Sequence, residues 1–154
     1  MTHWLILRTD ARKEQYVASQ VRNLGFNAWV PVQLIASRPA IARRVSAKSD
    51  MRRIKELPIL PRRIFAAVPR WAVLQGELEH IRHLIAVECD ADSRHLSVPD
   101  AEIAAFRAAI DAENTAALAL AQKASRKQKA KWRSLKDALL DMIESAKQQM
   151  EQAA

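Results

Sequence analysis

Residues 3–33 read HWLILRTDARKEQYVASQVRNLGFNAWVPVQ, and this stretch decides the fold. Its opening, His3 to Arg8, is dense in apolar and β-permissive side chains and predicts a short buried strand. Asp10 is placed to cap a following helix. In that helix Val17, Val21 and Leu24 recur at spacings of four and three, so they share one face. Arg12, Lys13 and Arg22 lie elsewhere on its circumference. Gly25 falls where a left-handed stop would sit. Phe26 to Gln33 then predicts a second strand, with Pro31 marking an edge or an end.

Outward from this unit the character changes. Between Leu34 and Lys55, seven basic residues (Arg38, Arg43, Arg44, Lys48, Arg52, Arg53 and Lys55) face a single acid, Asp50. Apolar periodicity is poor there, which predicts a mobile loop or a projecting hairpin. Ile64 to Val68 predicts a third strand, Gly76 to Leu84 a short helix with Leu78 and Ile81 inward, and Ile85 to Cys89 a fourth strand. Asp92 to Ser97 reads as a polar connection. Pro99 and Asp100 open a helix, with Glu102 in its first turn complementing the helix dipole and Ile103, Phe106 and Ile110 on its inner face. The expected order is β-α-β-β-α-β-α, an α+β split βαβ, ferredoxin-like sandwich over residues 1–112.

Residues 113–154 form a basic, Ala-rich, all-helical extension on this reading. From Asp100 to Ala154 there is neither Gly nor Pro. One long helix or two shorter ones fit, with a break near Asn114–Thr115 or Ser125. Trp132, Leu135, Leu139, Met142 and Ala146 make a short heptad-like stripe. Such a stripe either packs on the domain or forms a homodimer through the C-terminal helix. Ahead of and within it, Lys123, Arg126, Lys127, Lys129, Lys131, Arg133 and Lys136 have no acidic neighbour.

The whole chain of 154 residues carries a formal net charge of +8. That balance favours a polyanionic partner such as nucleic acid, through the 38–55 loop (Arg43, Arg44, Arg52 and Arg53) and the 123–136 segment (Lys127, Lys129 and Lys131). The single cysteine, Cys89, has no partner for an internal disulfide, which fits a reducing compartment. No apolar run approaches the roughly 20 residues that span a bilayer. The expectation is a cytoplasmic protein with no membrane partner.

Catalytic and cofactor chemistry finds little support. Two glycines supply neither a Walker loop nor a dinucleotide fingerprint. His80 and His83 lie three apart but lack further ligands, and Glu88, Asp90 and Asp92 read as a solvated edge. A non-enzymatic protein without cofactor or metal is expected.

The residues resemble the N-terminal (NGN) domain of NusG-like transcription elongation and antitermination factors. Trp4-Leu5-Ile6-Leu7-Arg8-Thr9 resembles the family's opening W-Y-V-L-x-T. Leu24-Gly25-Phe26 through Trp29 and Pro31 is similar to L-x-x-x-G-F/I-x-x-F/W-x-P. Glu56 to Phe65 is similar to E-x-P-L-F-P-G-Y-L-F, and Val98-Pro99-Asp100 with Glu102-Ile103 to V-P/S-D-x-E-I. The matches are colinear from Trp4 to Ile110.

The resemblance implies binding to the clamp helices of the largest RNA polymerase subunit and reach toward the gate loop, with a closed clamp and altered pausing. It places Leu60 and Phe65, backed by Trp4, in the clamp-docking patch, although all three also read as core. Arg63 stands where the family has an aromatic, and Gln75 and Gly76 near the gate loop. Arg12, Lys13 and Arg22 would lie near upstream or non-template DNA. The departures are Leu5 for Tyr, Leu60 for Phe, Arg62-Arg63 for Gly-Tyr, and a helical segment where a typical member carries a KOW barrel. Two other functions fit the same residues: a basic nucleic-acid-binding module acting without polymerase, and a helix-mediated assembly protein.

Overall fold

The computed structural model describes residues 3–37, 53–120 and 126–152. Strand β1 (His3–Thr9) is central, and its neighbours run antiparallel to it. Strands β2 (Asn27–Trp29), β5 (Arg63–Ala67), β1 and β6 (Leu84–Val87) lie side by side in that order. A short β7 (Ser97–Pro99) continues beside β1, pairing His3 with Pro99 and Leu5 with Ser97. Both β1 and β2 pair antiparallel to β5, so they are parallel to each other with β5 between them. Helix α1 (Glu14–Asn23) makes the connection.

The apolar run of β1 does not alternate with polar residues because both faces of the sheet are covered. Leu5 and Leu7 point into one core with Val17, Ala18 and Val21 of α1 and with Leu78 and Ile81. Trp4 and Ile6 point into a second core with Leu60, Phe65 and residues of two C-terminal helices. These are α3 (Asp100–Leu120) and α4 (Arg126–Gln152). The chain is thus mixed α and β, with an antiparallel sheet between helical layers and a C-terminal helix.

Several local features carry out what the sequence dictates. Gly25 has φ of 88°, and the N–H groups of Gly25 and Phe26 donate to the carbonyls of Arg22 and Val21. That pattern closes α1 with a left-handed residue. The charged stretch after Leu34 includes an antiparallel pair, β3 (Val32–Ser37) and β4 (Arg53–Pro58), in register from Val32–Pro58 to Ser37–Arg53.

Other expectations need correction. The single strand expected over Phe26–Gln33 is two, because Pro31 cannot donate to a ladder and the chain leaves the main sheet for the hairpin there. Asp10 does not cap α1: Lys13 occupies the cap position, and the Asp10 carboxylate lies 2.9 Å from His83 Nδ1. The helix expected at 76–84 lies earlier, as α2 (Arg70–Leu74). Pro69 precedes it and Gly76, at φ of 73°, ends it, while the N–H groups of Glu79, Ile81 and Leu84 make single turns. The polar connection at Asp92–Ser97 is a tight return that buries Leu96 and starts β7.

Helix α3 does not break at Asn114–Thr115, and the expected boundary after residue 112 falls inside it. Asn114 is buried there for a reason. Its Oδ1 accepts from the Leu34 N–H at 2.8 Å, and its Nδ2 donates to the Val32 carbonyl at 2.9 Å. The amide thereby acts as a neighbouring strand would, pinning the hairpin's base to the helix.

Candidate functional site

The expected docking residues are core residues in this conformation. Trp4, Leu60 and Phe65 are 3%, 1% and 0% exposed, in one apolar cluster with Leu139, Met142 and Ile143 of α4. Trp132 and Leu135 pack against the same cluster. The heptad-like stripe therefore faces the chain's own sheet. Ile103 and Ile110 of α3 belong to the same cluster, so both C-terminal helices close it.

Around Trp4 the packing is specific. Its Nε1 donates to Asp100 Oδ1 at 2.6 Å. The Arg107 guanidinium sits 4.7 Å from the Trp4 ring centre and 5.3 Å from that of Trp29. Arg107 Nε is buried without a hydrogen-bond partner among the described residues, so the two indole faces are its compensation. Burial lowers the Arg107 pKa from its ordinary value, opposed by the charges of Asp100 and Asp111 and reinforced by that of Arg22.

Arg63, expected at the polymerase, donates from Nε to Glu88 Oε1 at 2.6 Å. Glu88 is thus an ion-pair partner within the sheet and not part of a solvated acidic edge. Asp90 and Asp92 likewise serve Arg94. Gln75 is exposed at the end of α2 and Gly76 forms the left-handed stop after it. Beside them Trp71 and Leu74 are 55% and 71% exposed, an apolar pair that sequence periodicity missed because α2 is too short to display a period.

The expected nucleic-acid residues separate into groups. Arg12 and Lys13 are exposed at one end of the sheet, and the fold brings Arg62 and Arg82 to the same end. Three turns meet there. The Thr9 N–H donates to the Arg62 carbonyl at 2.8 Å, the Asp10 N–H to the His83 carbonyl at 2.9 Å, and the Arg62 N–H to the buried Glu14 carboxylate at 2.8 Å. Arg12, Arg62 and His83 have φ of 64°, 68° and 71°, the left-handed region that L-residues seldom occupy. Each such residue costs on the order of 1–3 kcal/mol. Tyr16 lies edge-on to His83 with ring centres 5.6 Å apart.

Arg22 is not part of that group. Its Nε and Nη2 both donate to the Ala28 carbonyl, at 3.1 and 2.9 Å, tying the end of α1 to β2. Lys131 pairs with the buried Glu113 carboxylate and links α4 to α3. Arg43, Arg44 and Arg52 lie outside the described residues, as do the side chains of Arg53, Lys127 and Lys129.

Among the described residues no helix is long and apolar enough to cross a membrane. No protein-family model matches the chain, and no curated protein matches it.

Proposed function

We propose that this chain is a NusG-like elongation or antitermination factor that docks on the clamp helices of RNA polymerase through the Leu60–Phe65 face, and that α4 covers this face in the free protein. The observation that carries the reading is the backbone of Arg62. The residue stands where the family pattern has glycine, and its φ is 68°. A position that selects glycine for a left-handed turn keeps that turn here although the side chain has changed. The strand order, with α1 crossing from β1 to a parallel β2 around β5, supports reading residues 1–112 as a split βαβ, ferredoxin-like unit.

On this reading docking requires α4 to leave. Polymerase binds only the uncovered state, so its apparent affinity is reduced by the fraction of molecules in that state. Competition tests the docking site. Excess isolated clamp-helix fragment is expected to displace the protein from purified polymerase in a pull-down, and undiminished retention at saturating fragment sinks the reading.

The cationic end favours a second reading, phosphate binding by Arg12, Lys13, Arg62 and Arg82. Strained residues held by several mutually bonded turns are more often found at binding sites than elsewhere. Phosphate contacts there add affinity without sequence information. Fluorescence anisotropy with a labelled DNA duplex over a salt series checks it. An Arg12→Ala, Arg62→Ala variant is expected to flatten the slope of log K against log salt by about 2. An unchanged slope removes this end from the interface.

A further inference from the structure

Where β1 begins, a cavity of about 740 Å³ opens between elements that are far apart in sequence. His3 and Leu5 of β1, the turn entering α2, the 93–97 return and Met150 of α4 form its walls. Its volume falls within the roughly 300–1,000 Å³ of small-molecule sites. The lining is of two kinds. Leu5, Val68, Leu74 and Met150 make apolar wall, and Leu5 and Val68 continue into the first core. His3, Arg70, Arg94 and His95 make the polar part, with two serines. Among the described residues no aspartate or glutamate lines it.

The two arginines differ usefully. Arg94 is held in place by acceptors behind it. Nε donates to Asp90 Oδ2 at 2.9 Å, while Nη2 donates to Asp92 Oδ2 at 3.3 Å and to the Met150 carbonyl. Its charge is therefore compensated, and it contributes an oriented set of donors with Nη1 still available among the described residues. Arg70 has no ion-pair partner among the described residues and supplies net positive charge at the rim. A planar cationic fork beside apolar wall fits a ligand with an anionic head and an apolar body.

We infer that this cavity binds a small organic anion, a carboxylate or phosphate carried on an apolar body. Arg70 and Arg94 receive the head, and Leu5, Val68 and Met150 enclose the body. The inference does not rest on the polymerase reading, because Arg70 and Arg94 lie outside the Leu60–Phe65 cluster and, of the residues just named, only Met150 packs against it. Met150 is both wall and hydrogen-bond acceptor, so an occupied cavity also holds the last turn of α4 against the 93–97 return.

Calorimetric titration of the full chain with octanoate and with octyl phosphate tests the site, with 1-octanol and inorganic phosphate as partial ligands. Saturable binding of at least one amphiphile is expected, at least tenfold tighter than either partial ligand. The tighter of the two identifies the head group. Arg70→Ala, on the exposed rim, is expected to weaken binding at least tenfold with no change in thermal midpoint. Ser97→Leu, which fills the cavity, is expected to do the same, and if that variant fails to fold Arg70→Ala decides alone. No saturable heat with either amphiphile, 1-octanol binding as well as octanoate, or full affinity in Arg70→Ala would overturn the proposal.

Discussion

The two faces of one sheet are built from comparable residues and yet differ in kind. On the α1 face, Val17, Val21, Leu5 and Leu7 meet through a connection of a few residues, and Ile64, Ala66, Val68, Ala72, Leu78 and Ile81 complete that core. On the other face, Trp4, Leu60 and Phe65 share a core with Ile103 and Ile110 of α3 and with Leu139, Met142 and Ile143 of α4, the last three more than seventy residues further along. The first core is intrinsic to the sheet. The second is completed by two helices from the C-terminal part of the chain.

This contrast can be broken most directly at α4. Leu139→Ala is expected to cost about 2–5 kcal/mol, the range for emptying a buried leucine site. Its signature should be local: faster amide exchange across 132–150 and 59–65, with α1 still protected. Val21→Ala, on the first face, is expected to raise exchange throughout the chain instead. Uniform loosening in both variants would mean that the two faces do not differ as described.

The hairpin's attachment sharpens the picture at a smaller scale. Asn114→Ala removes the donor and the acceptor that satisfy Val32 and Leu34. About 1–3 kcal/mol is expected from orphaning such partly buried groups, read as a lower urea midpoint with an unchanged slope. Asn114→Asp keeps the acceptor but sets a buried carboxylate oxygen against the Val32 carbonyl, and is expected to destabilise at least as much as alanine at neutral pH.

A still smaller effect, of opposite sign, is expected at Arg62. Arg62→Gly relieves a left-handed side chain and should stabilise the fold by about 1 kcal/mol, less whatever the more flexible unfolded chain takes back. A destabilised glycine variant would show that the arginine side chain matters more to the fold than its backbone strain.

The smallest effect concerns acid. Burial acts to raise the Asp90 carboxyl, but the Arg94 backbone N–H and guanidinium, with the Asp92 N–H, outweigh it and hold the pKa below its ordinary value. A depressed carboxyl contributes stability that is fully present above its unfolded pKa and lost as pH falls through the folded one. The 90–96 return should therefore open only in strong acid, and Asp90→Asn should remove that acid limb from its exchange profile.

What was legible in the sequence follows the same division. The opening strand, α1 with its Gly25 stop and the inner face of α3 follow from local spacing, and the structure has all three, except that Leu24, expected beside Val17 and Val21, is the exposed cap residue after α1. The hairpin was half legible, because clustered arginines mark a projection while its strand register depends on a contact with Asn114. The helix at 76–84 was misplaced because Pro69 and Gly76 bracket a shorter one than the apolar spacing suggests. For the candidate site, Arg12 and Lys13 were visible as charge, whereas Arg62 and Arg82 join them only through turns that meet in space. Arg22, Arg63 and Lys131 read as free cations because their acceptors, Ala28, Glu88 and Glu113, are brought to them only by the folded chain.

On the proposed function, α4 and the polymerase compete for one apolar face. The most direct test is the dissociation constant for purified RNA polymerase, measured by fluorescence anisotropy for wild type and for Leu139→Ala. Circular dichroism should first establish that the variant's sheet is intact. Binding by both is expected, at least tenfold tighter for the variant, whose α4 packing is weakened. Equal affinities, or no binding by a folded variant, would contradict it.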